Sequence, residues 1–385
     1  MRFRLRKPTA ISDEVLCAII MLSGLLGKLS AGMGLICNCI GLALAAVLLL
    51  NCFIYRRISL DVYALFFGGF LLATLNILFV GQLQLQKYAI ILIIYFAAGL
   101  YLSMAETLNY NLWRIVFFVA VAVVMYNWMT TVDEYHLFYG TSRNFVSVFL
   151  LIFLIPLVYA AYLNNRKISA LYYVLIFACS VSAIGRSGIA FTGLLLGAIY
   201  IYRVFMNPKV SVRTKYLHFS LLCVALIVFL AMQTNVMSAL VQKLFSRFIE
   251  MSNLQEEPRI KILSSYLESV DAWWKVLLGS NSRKIVYLQK WNGNIHNSYM
   301  LTHATFGLIG MIALVVGVIS AICLLIKDGK TELGIVLSIF AMRCLVDSIF
   351  YAQLGDAIAW FCMLYALPRL RGGRKVYFLV RSEET

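Results

Sequence analysis

Four histidines occur in 385 residues. One of them, His296, stands where a polar stretch gives way to an apolar one, in NGNIHNSYMLTHATFGLIG (residues 292–310). A histidine near neutral pH can accept or release a proton, so this position suits either a general base or a hydrogen-bonded interface residue. Asn297 follows it directly. His303 lies seven residues on, on the same helical face and about two turns deeper, and reads as structural.

The second group with chemical potential is cationic. Arg186 sits in AIGRSGIAF between two apolar runs. An arginine at the centre of a membrane helix costs about 2.5–3.5 kcal/mol on insertion scales, and less near the interface. It is either a snorkelling residue or an anion ligand. The second reading gains from Gly185, Ser187 and Gly188, which let a substrate approach the backbone, and from the amides of the helix start that follows. Arg143 in GTSRNF begins another helix and reads as an interface anchor or a further ligand. Arg259 follows Pro258, which can open a helix. Arg343 and Asp347 are four apart and can pair on one face. Asp347 is then either half of a structural ion pair or an orienting group for a substrate.

These residues need a scaffold, and the composition names it. The chain is 62% apolar and only 13% charged, with a mean hydropathy of +0.86. A soluble domain would be about 25% charged. Apolar runs long enough to cross a bilayer recur along the length. We expect an all-α polytopic membrane protein with about twelve spans, near 14–30, 34–54, 61–80, 88–104, 112–128, 144–163, 169–184, 188–205, 217–234, 299–326, 333–348 and 350–367. No cleavable leader is expected from the basic start Met1–Lys7. The expected organisation is an N-terminal bundle over 1–234, an external loop over 235–298, C-terminal helices over 299–367 and a basic tail over 368–385.

The net charge of +16 does not imply nucleic acid, because the basic residues cluster in alternate short connections. By the positive-inside rule both termini are cytoplasmic and the loop is outside. Within the loop, the apolar face of 238–252 predicts a helix on the membrane surface. Ile260, Leu263, Leu267, Val270, Trp274 and Leu277 predict a second helix, stopped by Gly279. The loop carries eight Lys/Arg against five Asp/Glu. All nine cysteines lie in apolar stretches, so no disulfide is expected in the loop. No internal repeat, phosphate-binding GxxxxGK[ST] loop, DxD or HExxH motif occurs. A basic exterior, one candidate base and an amphipathic loop suit a substrate with an anionic head on a lipid tail.

Three stretches carry a resemblance. IHNSYMLTHATFGLIG, GRSGIAFTGLLLGAIYIY and EPRIKILSSYLESVDAWWKVLLGS resemble, in that order, the His-Asn signature, the arginine helix start and the outer-loop arginine helix of the O-antigen polymerase and ligase superfamily. Asp347 in MRCLVDSIFY resembles an acidic residue found late in the ligases. The resemblance covers most of 140–350. It implies a C-type membrane glycosyltransferase that needs no metal or other cofactor. Its donor and acceptor would be undecaprenyl-diphosphate-linked glycans at the periplasmic face of a bacterial inner membrane, with a chain-length regulator as a further partner. Arg186 and Arg259 would hold the diphosphate, with Arg143 and Asp347 as further substrate-binding residues. His296 would deprotonate or orient the acceptor hydroxyl, and Asn297 would support it. His296-Asn297 is followed by Ser298, Tyr299 and Met300, where a ligase commonly has Leu last. That departure favours a polymerase over a ligase. A transporter or flippase would instead require inverted repeats, paired broken helices and charge near mid-membrane.

Overall fold

In a chain this apolar, backbone amides deprived of water must bond within the chain, and helices do this segment by segment. The computed structural model describes residues 10–55, 58–81, 85–131, 137–221, 258–350 and 353–370. Among these residues no strand forms; an isolated bridge joins Phe138 and Thr141.

The first part of the chain forms α1 (Ala10–Leu26), α2 (Ala31–Tyr55), α3 (Leu60–Phe79), α4 (Leu85–Met104), α5 (Tyr110–Thr130), α6 (Phe145–Leu163), α7 (Ala170–Ser182) and α8 (Arg186–Tyr200). A π turn, Ile201–Phe205, continues α8. After Pro258 come α9 (Pro258–Glu268), α10 (Trp273–Leu278) and the short α11 (Val286–Gln289). The last helices are α12 (Ser298–Lys327), α13 (Thr331–Arg343) and α14 (Asp356–Leu370). Among the described residues, six helical stretches are long and apolar enough to cross a membrane: Ala31–Ile54, Leu60–Phe79, Tyr110–Thr130, Phe145–Leu163, Arg186–Phe205 and Ser298–Lys327. This is an all-helical polytopic membrane protein.

The centre of the bundle is α6. Every residue from Phe145 to Ala161 is buried, as expected of a helix that is apolar all round. Pro156 sits inside it without ending it. Around α6 pack α5, α7, α8 and α13, while α14 lies between α4 and α12. Contact between α4 and α14 is very close at Gly99, where an added Cβ would fall 2.5 Å from Trp360 Cβ.

Several expectations change in detail. Twelve spans were expected, and six helices among the described residues reach spanning length. With 13 residues each, α7 and α13 are only about 20 Å long, too short for a 30 Å core. The expected span 217–234 is described only as far as residue 221, as part of a helical stretch over 212–221. The surface helix expected over 238–252 lies outside the described residues. The single helix expected from Pro258 to Gly279 is two, α9 and α10, separated by Ser269–Ala272. Its buried residues are Ile262 and Tyr266, whereas Ile260, Leu267 and Trp274 are exposed. The reason is a small second core, in which Ile262 and Tyr266 pack with Leu288, Ile295, Leu301 and Ala73 of α3.

The expected span 333–348 also ends early, at Arg343. Ser298 at the start of α12 diverts the chain there. Its N–H donates to Cys344 O (2.8 Å), its Oγ donates to Asp347 O (2.6 Å), and Ile349 N donates back to that Oγ (2.7 Å).

Finally, α12 is not continuous. Gly307 has φ +66° and ψ −170° and breaks it. A Cβ there would sit 1.8 Å from Leu277 O, so the break is where α10 docks. Asn76 of α3 satisfies the carbonyls exposed at the junction, donating to Ala304 O (2.7 Å) and Leu278 O (3.0 Å). Both ring nitrogens of His303 are engaged, by Tyr266 OH (2.7 Å) and Val276 O (2.8 Å). Its role is structural.

Candidate active site

The starts of α6, α8 and α12 meet the ends of α3 and α13 at one end of the bundle. His296 lies there, one residue before the helix cap. Asn297 caps α12: its Oδ1 accepts from Tyr299 N and Met300 N, both at 3.0 Å, and its Nδ2 donates to Leu345 O (3.0 Å). The support it gives His296 is therefore rigidity of the adjoining backbone. His296 has φ +52°, a left-handed conformation that most residues avoid. Its N–H donates to Asn294 Oδ1 (2.9 Å), which also accepts from Ser348 Oγ (2.5 Å). The turn is thus tied to the segment carrying Asp347.

Asp347 binds two arginines. Its Oδ2 pairs with Nη1 of Arg343, and its Oδ1 lies 3.8 Å from Nη2 of Arg259. The pairing of Arg343 with Asp347 was legible four residues apart; that Arg259 joins them was not. Arg343 is fully buried, while 34% of the Arg259 side chain is exposed. One carboxylate between two guanidiniums leaves one net positive charge, presented on the side of Arg259. His296 is half-buried, and burial holds its ring below the ordinary value of 6.5. Asp347 opposes that shift and Arg259 adds to it. At neutral pH the imidazole is therefore largely uncharged and able to accept a proton.

The other two arginines approach through α6 and α8. Arg343 Nη2 donates to Asn144 O (3.0 Å), at the start of α6. Its guanidinium also lies 5.7 Å from the Phe191 ring of α8. Gly185 packs on the same residue: a Cβ there would be 3.2 Å from Asn144 Cα and 3.3 Å from Arg143 O. Arg143 and Arg186 thus flank the contact on which Arg343 is anchored. Neither Asn144 nor Gly185 makes a side-chain cap bond to its helix. The starts of α6 and α8 and three arginines thus share one corner, in which the first α6 amides already donate to the backbone, Phe145 N to Ser142 O (3.0 Å) and Val146 N to Arg143 O (3.3 Å). Nearby, Ser187 Oγ and Arg343 Nε are buried without a hydrogen-bond partner. Ile184 has φ +51°, a strained conformation for a β-branched residue that persists only where its surroundings hold it. It is held because only three residues turn the chain from α7 into α8.

The structure therefore gathers His296, Asn297, Arg259, Asp347 and Arg343 directly, with Arg143 and Arg186 at the adjoining helix starts. Sequence reasoning passed over Asn294 and Ser348, which fix the histidine turn. Their only signal was position: two residues before His296 and one after Asp347.

The chain matches no protein-family model and no curated protein.

Proposed function

We propose that this protein is an O-antigen polymerase. It would join undecaprenyl-diphosphate-linked repeat units at the periplasmic face of the bacterial inner membrane, with both termini cytoplasmic, in lipopolysaccharide biosynthesis. The observation that carries this reading is the placement of an uncharged, half-buried His296 against a net-cationic Arg343–Asp347–Arg259 group. In the proposed step the acceptor hydroxyl oxygen attacks the anomeric carbon of the donor glycan. His296 takes the hydroxyl proton as the new C–O bond forms. The bond from the anomeric carbon to phosphate breaks, and its electron pair leaves with the prenyl diphosphate. Negative charge grows on that leaving group, so the guanidiniums favour the transition state over the ground state.

The ligase reading shares this chemistry, with a sugar of the lipid A core as acceptor, and the contact between Arg259 and Asp347 favours it. The transporter reading draws on the break in α12 at Gly307 and the buried pair of Arg343 with Asp347. It lacks a paired second break among the described helices.

Deleting the gene separates the first two. Loss of a polymerase leaves lipopolysaccharide capped by a single repeat; bare core with accumulated lipid-linked glycan would assign the protein to the ligases. Purified protein in nanodiscs should convert lipid-linked repeats into a ladder of longer chains. Movement of the lipid-linked substrate across liposomes with no elongation would replace both readings with a transporter.

A further inference from the structure

Asn294 and Ser348, which tie down the histidine turn, also line a space that Asp347, Arg343 and Arg259 do not line. It is a cavity of about 790 Å³ between α1, α2, α4 and the turn over 283–294. Pockets for small ligands and headgroups fall in this size range. The bonded pair of Ser348 and Asn294 (2.5 Å) is the part of this lining next to the candidate site: Asn294 Oδ1 also accepts from His296 N (2.9 Å), and Ser348 follows Asp347 in the chain.

The lining has two textures. Lys28 and Arg283 contribute cations, and Asn38, Asn292 and Gln353 contribute amides. Leu35, Leu42, Ile90 and Ile91 form an aliphatic side. The lip is pinned where Tyr139 N donates to Lys28 O (2.7 Å). Gly27 and Gly34 let α1 and α2 approach closely below it; a Cβ on Gly27 would lie 3.4 Å from Gly34 Cα. Cations and amides beside an aliphatic wall fit an anionic, hydroxyl-rich head on a lipid tail.

A polymerising enzyme needs two such substrates at once, and the arginine corner accounts for one. We infer that this cavity is the acceptor subsite, taking a second prenyl-diphosphate-linked glycan whose terminal hydroxyl reaches His296 past the pair of Ser348 and Asn294. The acceptor's own bond to its diphosphate stays intact; only its hydroxyl proton is lost, to His296. This inference rests on the glycosyltransferase reading above, and the test separates the two.

Native mass spectrometry with undecaprenyl diphosphate as probe counts the sites. Wild-type protein should bind two molecules, the K28Q/R283Q variant one, the K28R/R283K variant two, and the R186A/R259A variant one. A melting curve for each variant checks that it is folded, and the charge-conserving pair shows that charge, not packing, is read. Wild-type binding that stops at one molecule, lost in R186A/R259A and unchanged in K28Q/R283Q, would overturn the acceptor subsite and leave the donor assignment standing. A single molecule lost only in K28Q/R283Q would keep this cavity as a lipid-diphosphate site and remove the arginine corner as donor site. Displacement of the second molecule by equimolar phosphatidylglycerol would reduce the cavity to a site for any anionic lipid and overturn the proposal. In the elongation assay, K28Q/R283Q should raise KM at least tenfold for an acceptor-only glycan, one with a non-cleavable phosphonate link. KM for a donor-only glycan with a blocked terminal hydroxyl should change less than twofold. The reverse pattern would also sink the assignment.

Discussion

Helix α13 carries an ionic residue at each end, and the two are treated very differently. At its start, Glu332 meets Arg203 in a two-pronged pair, Nε to Oε1 at 2.7 Å and Nη2 to Oε2 at 2.8 Å. Arg203 also donates to Ile168 O (2.7 Å), and Tyr173 OH donates to Glu332 (3.2 Å). The Tyr173 ring lies 5.4 Å from the guanidinium. Planar, two-pronged bonding of this kind is the strong form of the interaction. At the other end, Arg343 shares Asp347 with Arg259, and its Nε is left without a hydrogen-bond partner. The first group is a closed clasp between α8 and α13. The second is fully buried on one side, open on the other, and carries surplus positive charge. Closed ionic groups hold helices together, whereas an open, under-satisfied one has capacity left for a ligand.

That contrast can be broken or sharpened by substitution. The largest effect is expected for His296→Ala, which should lower glycan elongation by about 10²–10⁴-fold at unchanged protein level. Normal ladders from this variant in nanodiscs would remove the base from the scheme. Next comes Arg259→Gln, at about 10²-fold on elongation, since a partly exposed donor is lost without opening the bundle. Its melting temperature in detergent should match wild type; a large drop would make Arg259 a structural residue like Arg203. At the opposite end, Glu332→Gln should cost about 1–3 kcal/mol of stability, as charged hydrogen bonds do, measured by denaturant unfolding in detergent. Its elongation rate per folded molecule should stay within twofold of wild type. A loss comparable to that of Arg259→Gln would erase the distinction between the two ends.

The smallest effect is a shift in pH dependence. A base must be uncharged to act, so elongation should fall as pH drops through a His296 value held below 6.5 by burial. Arg259 depresses that value further. Removing it should therefore move the acid limb of the residual activity of Arg259→Gln to higher pH. A limb that moves to lower pH, or not at all, would mean that Arg259 does not act on the imidazole.

Much of this was legible in one dimension, and for local reasons. Apolar run lengths placed the helices, because the need to bond every amide in lipid leaves little choice. The change from polar to apolar at His296 marked the start of α12, and Asn297 caps it as its residue type allows. Arg343 and Asp347 pair at the four-residue spacing the sequence shows, although α13 ends at Arg343 and backbone turns over 344–346 carry the carboxylate back to it. The stripe from Ile260 to Leu277 predicted one helix, whereas the chain forms two, separated by Ser269–Ala272. Ile260 and Leu267 stay exposed while Ile262 and Tyr266 build the small core.

By itself, then, the sequence determined an all-helical membrane bundle, the helix starts that carry Arg143, Arg186 and His296, and the spacing of one ion pair. Each of these depends on residues within a turn or two of one another. The tertiary structure alone decided that Arg259 joins Asp347 across 88 residues, that Ser298 ends α13 early, and that Gly307 breaks α12 under Leu277. Those outcomes depend on contacts between distant segments, and no local period or propensity encodes which carboxylate a distant arginine will find.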